Sequence, residues 1–464
     1  MSDLTADPII KSKWWTPGLA GPIVAAALIR LSLLIASLVR TGTNGIVQPD
    51  TASYLIPGRN LVLHGCYFAD GVPNLFRPPG YSLFLSIFSL AGLPAAAIAN
   101  VVLSVITVVL VWRLGRMVFG DDRIALVAAW LFAFEPMSVV LSIDLLSETL
   151  FLALFLLSVE RVAAFLRGNG LRSLAGAGLS LAAATYTRPT TYYLPIALAL
   201  GLILVFMRVP GLRWKAPAVL LISALSLQAA WQVRNWVETG YGGFSSMREV
   251  NLYIENAAEV TSIVEHRDYF EVRKELGFLK FTDTSGQIYL SPTYVERHPE
   301  QAGWNSAQRI AFMRSAAESV LRAHRGVYLR TWVRPVFAVI FDPGAGYFDH
   351  VLNLENARLT SRMVNEGALR WGLFLAKTYP WIVAEKAAFG IVLLGLYFLA
   401  ARGVLRCGAR DPVLWLMLGT TLYFIAVFAV AGSYGADARF RLPIMPVVCI
   451  FAAAGVWRPK TTSQ

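Results

Sequence analysis

Apolar runs of membrane-crossing length recur along the 464 residues, alternating with short basic stretches or longer mixed polar ones. Crossing a hydrocarbon core of about 30 Å takes about 20 predominantly apolar helical residues. Runs of this kind are predicted near 17–39, 94–112, 124–142, 148–166, 172–187, 190–207, 216–237, 381–401, 412–432 and 440–457. That makes ten spans, the fifth short and the third and fourth nearly touching. The pattern changes over 238–380, where charges are frequent (RDYFEVRKELGFLK, YVERHPEQAG) yet apolar residues keep helical spacing, as in AQRIAFMRSAAESVLRAHRGVYLRTWV. This stretch reads as a folded α-rich domain of about 140 residues. It separates an N-terminal membrane module, 1–237, from C-terminal spans over 381–464. Trp332, Phe337 and Phe341 suit an edge of the domain that lies along the membrane surface.

The polar connections set an orientation. Lys11 and Lys13 precede the first span; Arg113, Arg116 and Arg123 follow the second; Arg161, Arg167 and Arg172 follow the fourth. Arg208, Arg213 and Lys215 follow the sixth, Arg402, Arg406 and Arg410 the eighth, and Arg458 and Lys460 the last. With ten spans every basic cluster falls on one side, which the positive-inside rule makes cytoplasmic. Both termini are then inside. The 40–93 loop, the 141–147 connection, the 188–189 turn, the 238–380 domain and the 433–439 loop face outward. The first apolar run exceeds a signal-peptide core of about 7–15 residues, so it reads as a retained span.

Composition agrees with a polytopic membrane protein of the all-α class: 56% hydrophobic, 15% charged, mean hydropathy +0.55. The net charge of +12 is spent in the basic loops, so it does not argue for nucleic acid. Cys66, Cys407 and Cys449 are too dispersed for a metal pattern and predict no disulfide. No Gly-rich phosphate loop or internal repeat is visible.

Candidate chemistry concentrates in the first outer loop, QPDTASYLIPGRNLVLHGCYFADGVPNLFRPPGY (48–81). Asp50 and Tyr54, four apart, share one face of a helix. Asp50 reads either as the N-cap of that helix or as a general base at the membrane surface, where poor solvation raises a carboxylate's basicity. The two readings are compatible. Arg30 falls in mid-span, where a charge is expensive and needs a partner. His64, His266, His298, His324 and His350 lack ligand spacing. The outer loops offer no D-x-D, so a divalent metal is left open and not predicted.

Asp-x-x-x-Tyr in the first outer loop is followed by G-C-Y-F (65–68) and F-R-P-P-G-Y (76–81). Further on come S-E-T-L-F (147–151), T-R-P (187–189), R-N-W (234–236) and R-F-R-L-P-I-M-P (439–446). In this order and on this side of the membrane, these motifs resemble the GT-C superfamily of polyprenyl-phosphate-sugar-dependent glycosyltransferases. Its members include protein O-mannosyltransferases and aminoarabinose transferases. The resemblance covers most of spans one to seven and the last span, and is weak over 245–380.

It implies a GT-C helical bundle that takes a polyprenyl-phosphate-linked sugar donor and a glycan, lipid or protein acceptor. Transfer to the acceptor hydroxyl occurs on the outer face of the cytoplasmic membrane, with inversion. Asp50 then matches the acid that activates the acceptor, and Glu148 the acidic position that orients acceptor or donor sugar. Asp144 and Glu135 stay in competition with Glu148 on the same hairpin. Breaking the sugar–phosphate bond develops anionic charge, which fixed guanidiniums stabilise. Arg77, Arg188, Arg234, Arg439 and Arg441 all lie at outward boundaries; each reads as a phosphate ligand or as a residue reaching for lipid head groups. Arg77 and Arg439 are the first choices. Tyr54 and Tyr81, with Tyr67 and Tyr192, line the site or belong to an interfacial aromatic belt. The alternative from another class is a transporter or flippase of lipid-linked saccharides, using the same arginines without cleavage.

Overall fold

The computed structural model describes residues 16–278, 286–353, 368–407, 411–432 and 435–457. Lys11, Lys13, Arg410, Arg458 and Lys460 lie outside the described residues. The chain is a multi-pass membrane protein, and its described residues are all-α apart from one short hairpin, Phe68–Ala69 with Val72–Pro73.

Among the described residues seven helices, not ten, are long and apolar enough to cross a membrane. They are Pro17–Gly45, Leu93–Phe119, Glu148–Leu166, Gly211–Thr239, Pro380–Leu405, Pro412–Ala431 and Ala438–Val456. The N-terminal module contains α1 (Ala20–Thr41), α2 (Thr51–His64), α3 (Pro79–Ser89), α4 (Leu93–Phe119) and α5 (Asp122–Ala133). It continues with α6 (Pro136–Val140), α7 (Glu148–Leu166), α8 (Leu171–Thr187), α9 (Leu194–Val205) and α10 (Pro210–Thr239).

The three expected spans that fall short do so at prolines. The run over 124–142 breaks before Pro136: Glu135 is driven out of the helical region (ψ 119°), which leaves α5 and the one-turn α6. Pro189 forces Arg188 into extended backbone, so α8 stops at 17 residues. A 3₁₀ turn follows, and α9 has only 12 residues.

Arg30 explains how the first of these breaks is tolerated. It is fully buried and donates from Nε to Ser104 Oγ (2.7 Å), from Nη1 to Ala133 O (2.8 Å) and from Nη2 to Ser138 Oγ (2.9 Å). One side chain on α1 thus ties down α4, α6 and a carbonyl left open where α5 ends.

Small residues let the helices approach closely. A Cβ on Gly455 would sit 2.0 Å from Leu399 O, and one on Gly403 1.9 Å from Phe451 O, so Pro380–Leu405 and the last helix meet backbone to backbone. At one end of the bundle the basic loops are knitted together. Arg167 reaches Met117 O (2.9 Å) and Asp411 (2.6 Å), and Arg113 pairs with Glu160. The opposite end carries the start of α2, the start of α7 and the end of α8.

Beyond α10 a helical region forms its own small core from Val250, Tyr253, Ile254, Ile288, Tyr289, Tyr294, Ile310 and Met313. Leu75 and Phe76 of the first loop are part of that core.

Candidate active site

Two elements present Asp50. Thr41 caps the turn after α1, and Asp50 then occupies the N-cap position of α2, but its side chain makes no capping hydrogen bond. The carboxylate turns away instead. Oδ1 lies 2.9 Å from Arg77 Nη2, and Oδ2 lies 3.2 Å from Arg439 Nη1. One turn on, Tyr54 OH accepts from Arg77 Nη1 (2.9 Å), while Arg77 Nε donates to Ser53 Oγ (2.9 Å). The guanidinium also stacks 4.3 Å above the Tyr54 ring. Every donor edge of Arg77 is therefore taken up by the first turn of α2.

The helical region behind the loop fixes Arg77 from the other side. Gln287 Oε1 accepts from Leu75 N (2.9 Å), Ser246 N donates to Leu75 O (2.8 Å), and Ser245 Oγ donates to Phe76 O (2.6 Å). Tyr67 OH donates to Arg77 O (3.0 Å).

Glu148 opens α7, where Ser147 is the N-cap residue. It is buried and ion-paired with Arg188, which leaves α8 at the Pro189 break, and it lies 4.0 Å from Arg439. Ser147 Oγ is 3.0 Å from Tyr54 OH and accepts from Arg188 Nη1 at 3.4 Å. Arg439 comes from a 3₁₀ segment, Ala438–Ile444, that leads into the last span. Asp50, Tyr54, Arg77, Glu148, Arg188 and Arg439 thus converge from α2, the first loop, α7, α8 and the chain's last crossing. Asp50 and Glu148 face these three guanidiniums, and Asp437, 3.6 Å from Arg439 Nε, is a third carboxylate at their edge.

For Asp50 the electrostatic result reverses the expected one. Burial pushes its carboxyl up, but Arg77, then Arg439, and Arg188 further off outweigh it and hold it down at about 2. Unliganded, Asp50 is a pinned anion and a weak base.

The remaining candidates lie elsewhere. Tyr81 packs edge-on behind Tyr54 at 5.1 Å and is fully buried, its OH accepting from Asn100. Arg234 sits on α10 above Trp231 (4.9 Å), donating to the carbonyls of Asn74 and Tyr67 (3.3 Å each). Arg441, two residues beyond Arg439, points the other way and clamps the carbonyls of Val339 (3.2 Å) and Asp342. Tyr192 bonds Gln232 at 3.2 Å. Of the competing acids, Glu135 caps α6 through Ser138 N. Asp144 is fully buried in the turn before α7; burial raises its pKa well above the usual range, and the Gln48 side chain offsets this only in part. Asp144 and Glu148 do not share a helix face, because α7 begins only at Glu148.

The structure adds residues the sequence reading passed over. Asp437 accepts from Arg439 N (2.9 Å) and from Tyr347 OH (2.9 Å). Tyr347 ties the Ala345–Val351 helix to the segment before Arg439, and His350, which donates to Val47 O (3.2 Å), ties it to the first loop. Ser53 and Ser147 had local signals, as neighbours of a helix start. Tyr347 meets Asp437 across 90 residues and had none.

An apolar crevice lined by Phe151, Phe428, Phe440, Leu442 and Pro443 ends at Glu148, Arg188 and Arg439. Among the described residues no group of three or more His, Cys, Asp or Glu side chains is placed to hold a metal ion.

Residues 77–236, from Arg77 to the R-N-W motif, match the family described as dolichyl-phosphate-mannose-protein mannosyltransferase. The match takes in 160 of the 464 residues. Among solved structures, the chain is similar to the oligosaccharyltransferase of Archaeoglobus fulgidus (12% identity, TM-score 0.49), over 96% of its own length and 50% of the archaeal protein's. It is also similar to ArnT from Cupriavidus metallidurans in the apo state (15%, TM-score 0.37; 95% and 78%). The undecaprenyl-phosphate-bound form of that protein matches as well (14%, TM-score 0.36; 92% and 77%). The chain spans half the length of the archaeal protein. No curated protein matches it by sequence.

Proposed function

We propose that the chain transfers a sugar from a polyprenyl-phosphate donor to an acceptor hydroxyl on the outer face of the cytoplasmic membrane, with inversion. The observation that carries this reading is the apolar crevice ending at Arg188 and Arg439, with Asp50 3.2 Å from Arg439. A donor phosphate placed where the crevice ends meets two guanidiniums beside apolar walls.

The pinned Asp50 gives the mechanism an order. A donor phosphate competes with Asp50 for Arg439, and each guanidinium drawn away raises the basicity of the carboxylate. The base is thus armed only when a donor is bound. The acceptor oxygen then attacks the anomeric carbon from the face opposite the phosphate, and its proton passes to Asp50. The carbon–oxygen bond to phosphate breaks, and the electron pair leaves as polyprenyl phosphate held by Arg188 and Arg439. Glu148 holds Arg188 in place and turns its second oxygen, which lacks a hydrogen-bond partner among the described residues, toward the sugar hydroxyls.

The test is release of polyprenyl phosphate from a panel of polyprenyl-phosphate sugars by the purified protein when an acceptor is supplied. Asp50→Asn should abolish release while donor binding persists. Turnover at the wild-type rate in that variant removes the base assignment, and product that keeps the donor's anomeric configuration removes the single displacement.

A further inference from the structure

Asp144 is an acid beside the chamber that no arginine answers. Asp50 meets Arg77 and Arg439, Glu148 pairs with Arg188, and Asp437 stands 3.6 Å from Arg439 Nε. In the chamber three carboxylates thus stand against three guanidiniums, and their charges already balance. Asp144 is fully buried behind them, and among the described residues no arginine, lysine or histidine is within ion-pair distance of it. An ionised carboxylate there would lose its water and gain no cation, so the group keeps its proton instead. Burial and the neighbouring Glu148 both act on it in that direction.

The surrounding bonds hold Asp144 where it is. Its carbonyl accepts from Asn100 Nδ2 on α4 (2.8 Å), and the same amide reaches Tyr81 OH on α3 (3.3 Å). Leu145, the next residue, is bonded to the first loop on both sides: its N–H donates to Ile46 O (2.9 Å), and its carbonyl accepts from Thr51 Oγ1 (3.1 Å). Thr51 Oγ1 in turn accepts from Gln48 N (2.9 Å), and the Gln48 side chain lies against the Asp144 carboxyl. The charged and titratable groups around that carboxyl are Glu148 from α7, Arg439 from the 3₁₀ segment and Tyr81 from α3. A charge on Asp144 therefore cannot swing out to water. The cation whose field reaches it is Arg439, which also lies 3.2 Å from Asp50 and 4.0 Å from Glu148.

We infer that Asp144 is a proton-holding residue that positions Arg439: neutral, it leaves the guanidinium to Asp50 and Glu148; ionised, it draws the guanidinium off them. With Asp144 ionised, four carboxylates stand against three guanidiniums, and Asp50 loses one of its two partners. The consequence for turnover rests on the transfer reading, in which Arg439 serves both the base and the departing phosphate. The protonation of Asp144 and its coupling to Arg439 do not rest on it.

Infrared difference spectra of the full chain in dodecyl maltoside micelles, wild type minus Asp144→Asn, test this. At about pH 7, where a solvated aspartate of pKa about 3.9 is ionised, the difference should contain the C=O stretch of an un-ionised carboxyl. Raising the pH should bleach that band. Arg439 favours the ionised form and Glu148 opposes it. In the Arg439→Gln background the bleaching should therefore move to higher pH, and in the Glu148→Gln background to lower pH. A general loosening of the chamber would move both the same way. A spectrum without the band at about pH 7 overturns the inference. So do two backgrounds that bleach with the wild type or on the same side of it. In turnover, Asp144→Asn keeps the shape of the neutral acid but cannot ionise, and it should lose the alkaline limb of kcat/KM for the donor. A limb unchanged in Asp144→Asn overturns the positioning role. Absent turnover of every donor, with the band present and shifting in opposite directions, overturns the transfer reading and leaves the coupling of Asp144 to Arg439 standing.

Discussion

Asp50 shows how far a residue's chemistry departs from what its position suggests. A carboxylate at a membrane boundary is expected to gain basicity from desolvation; here two guanidiniums within 3.2 Å hold it down at about 2. Two consequences are measurable. Its folded pKa lies below the unfolded value of about 3.9. Its contribution to stability is therefore complete above about pH 4 and is lost as pH falls through about 2. Thermal unfolding midpoints of the wild type should drop over that window by more than those of Asp50→Asn. In turnover, the acid limb of kcat should lie at higher pH than that of kcat/KM, because donor phosphate relieves Asp50 in the complex and not in the free protein. Coincident limbs would rule out arming by the donor. Asp50, Arg77, Glu148, Arg188 and Arg439 were legible as polar residues at one depth in an apolar chain. Arg234 and Arg441 share that depth, but depth does not give direction around a helix axis. Arg439 and Arg441, two residues apart on a 3₁₀ turn, point to different partners.

At the scale of elements, hydropathy located the bundle and overcounted its crossings. The prolines that break the chain at Pro136 and Pro189 were visible, but an apolar window averages over them. The second break sets Arg188 at the end of α8, where it pairs with Glu148. The last span carries Arg439 to the chamber, and its depth is set where Gly455 meets Leu399 O and Gly403 meets Phe451 O. Gly455→Leu should push that helix off its neighbour and withdraw Arg439 from Asp50. Affinity for polyprenyl phosphate should fall about tenfold or more, the worth of a charge-assisted contact, although Gly455 touches nothing in the site. Gly419→Leu is the control: a Cβ there meets nothing within 4 Å. Equal affinities in the two variants would show that helix approach does not position the arginine.

At the scale of the whole molecule, the helical region after α10 is bound to the membrane module through the residues next to Arg77. Its core takes in Leu75 and Phe76, its polar groups hold their backbone, and a Cβ on Gly286 would strike the Phe76 ring at 2.4 Å. The sequence predicted the region and its helical pattern. It gave no sign that two apolar residues of a distant loop complete the core, because that contact joins positions about two hundred residues apart. Arg77 is thereby gripped at its tip by α2 and at its root by this region. Phe76→Ala should cost about 3 kcal/mol of stability as a buried aromatic, but its larger effect should be on catalysis, by loosening the root of Arg77. Ile310→Ala, in the same core but away from the loop, should destabilise with little change in kcat. Arg77→Lys cannot reach Asp50, Ser53 and Tyr54 together and should lower kcat by itself. If the grip at the root works through the tip, adding Phe76→Ala to Arg77→Lys should lower kcat by much less than the product of the two single effects. Multiplicative losses would mean that the two ends act independently and that the helical region does not set the geometry of the chamber.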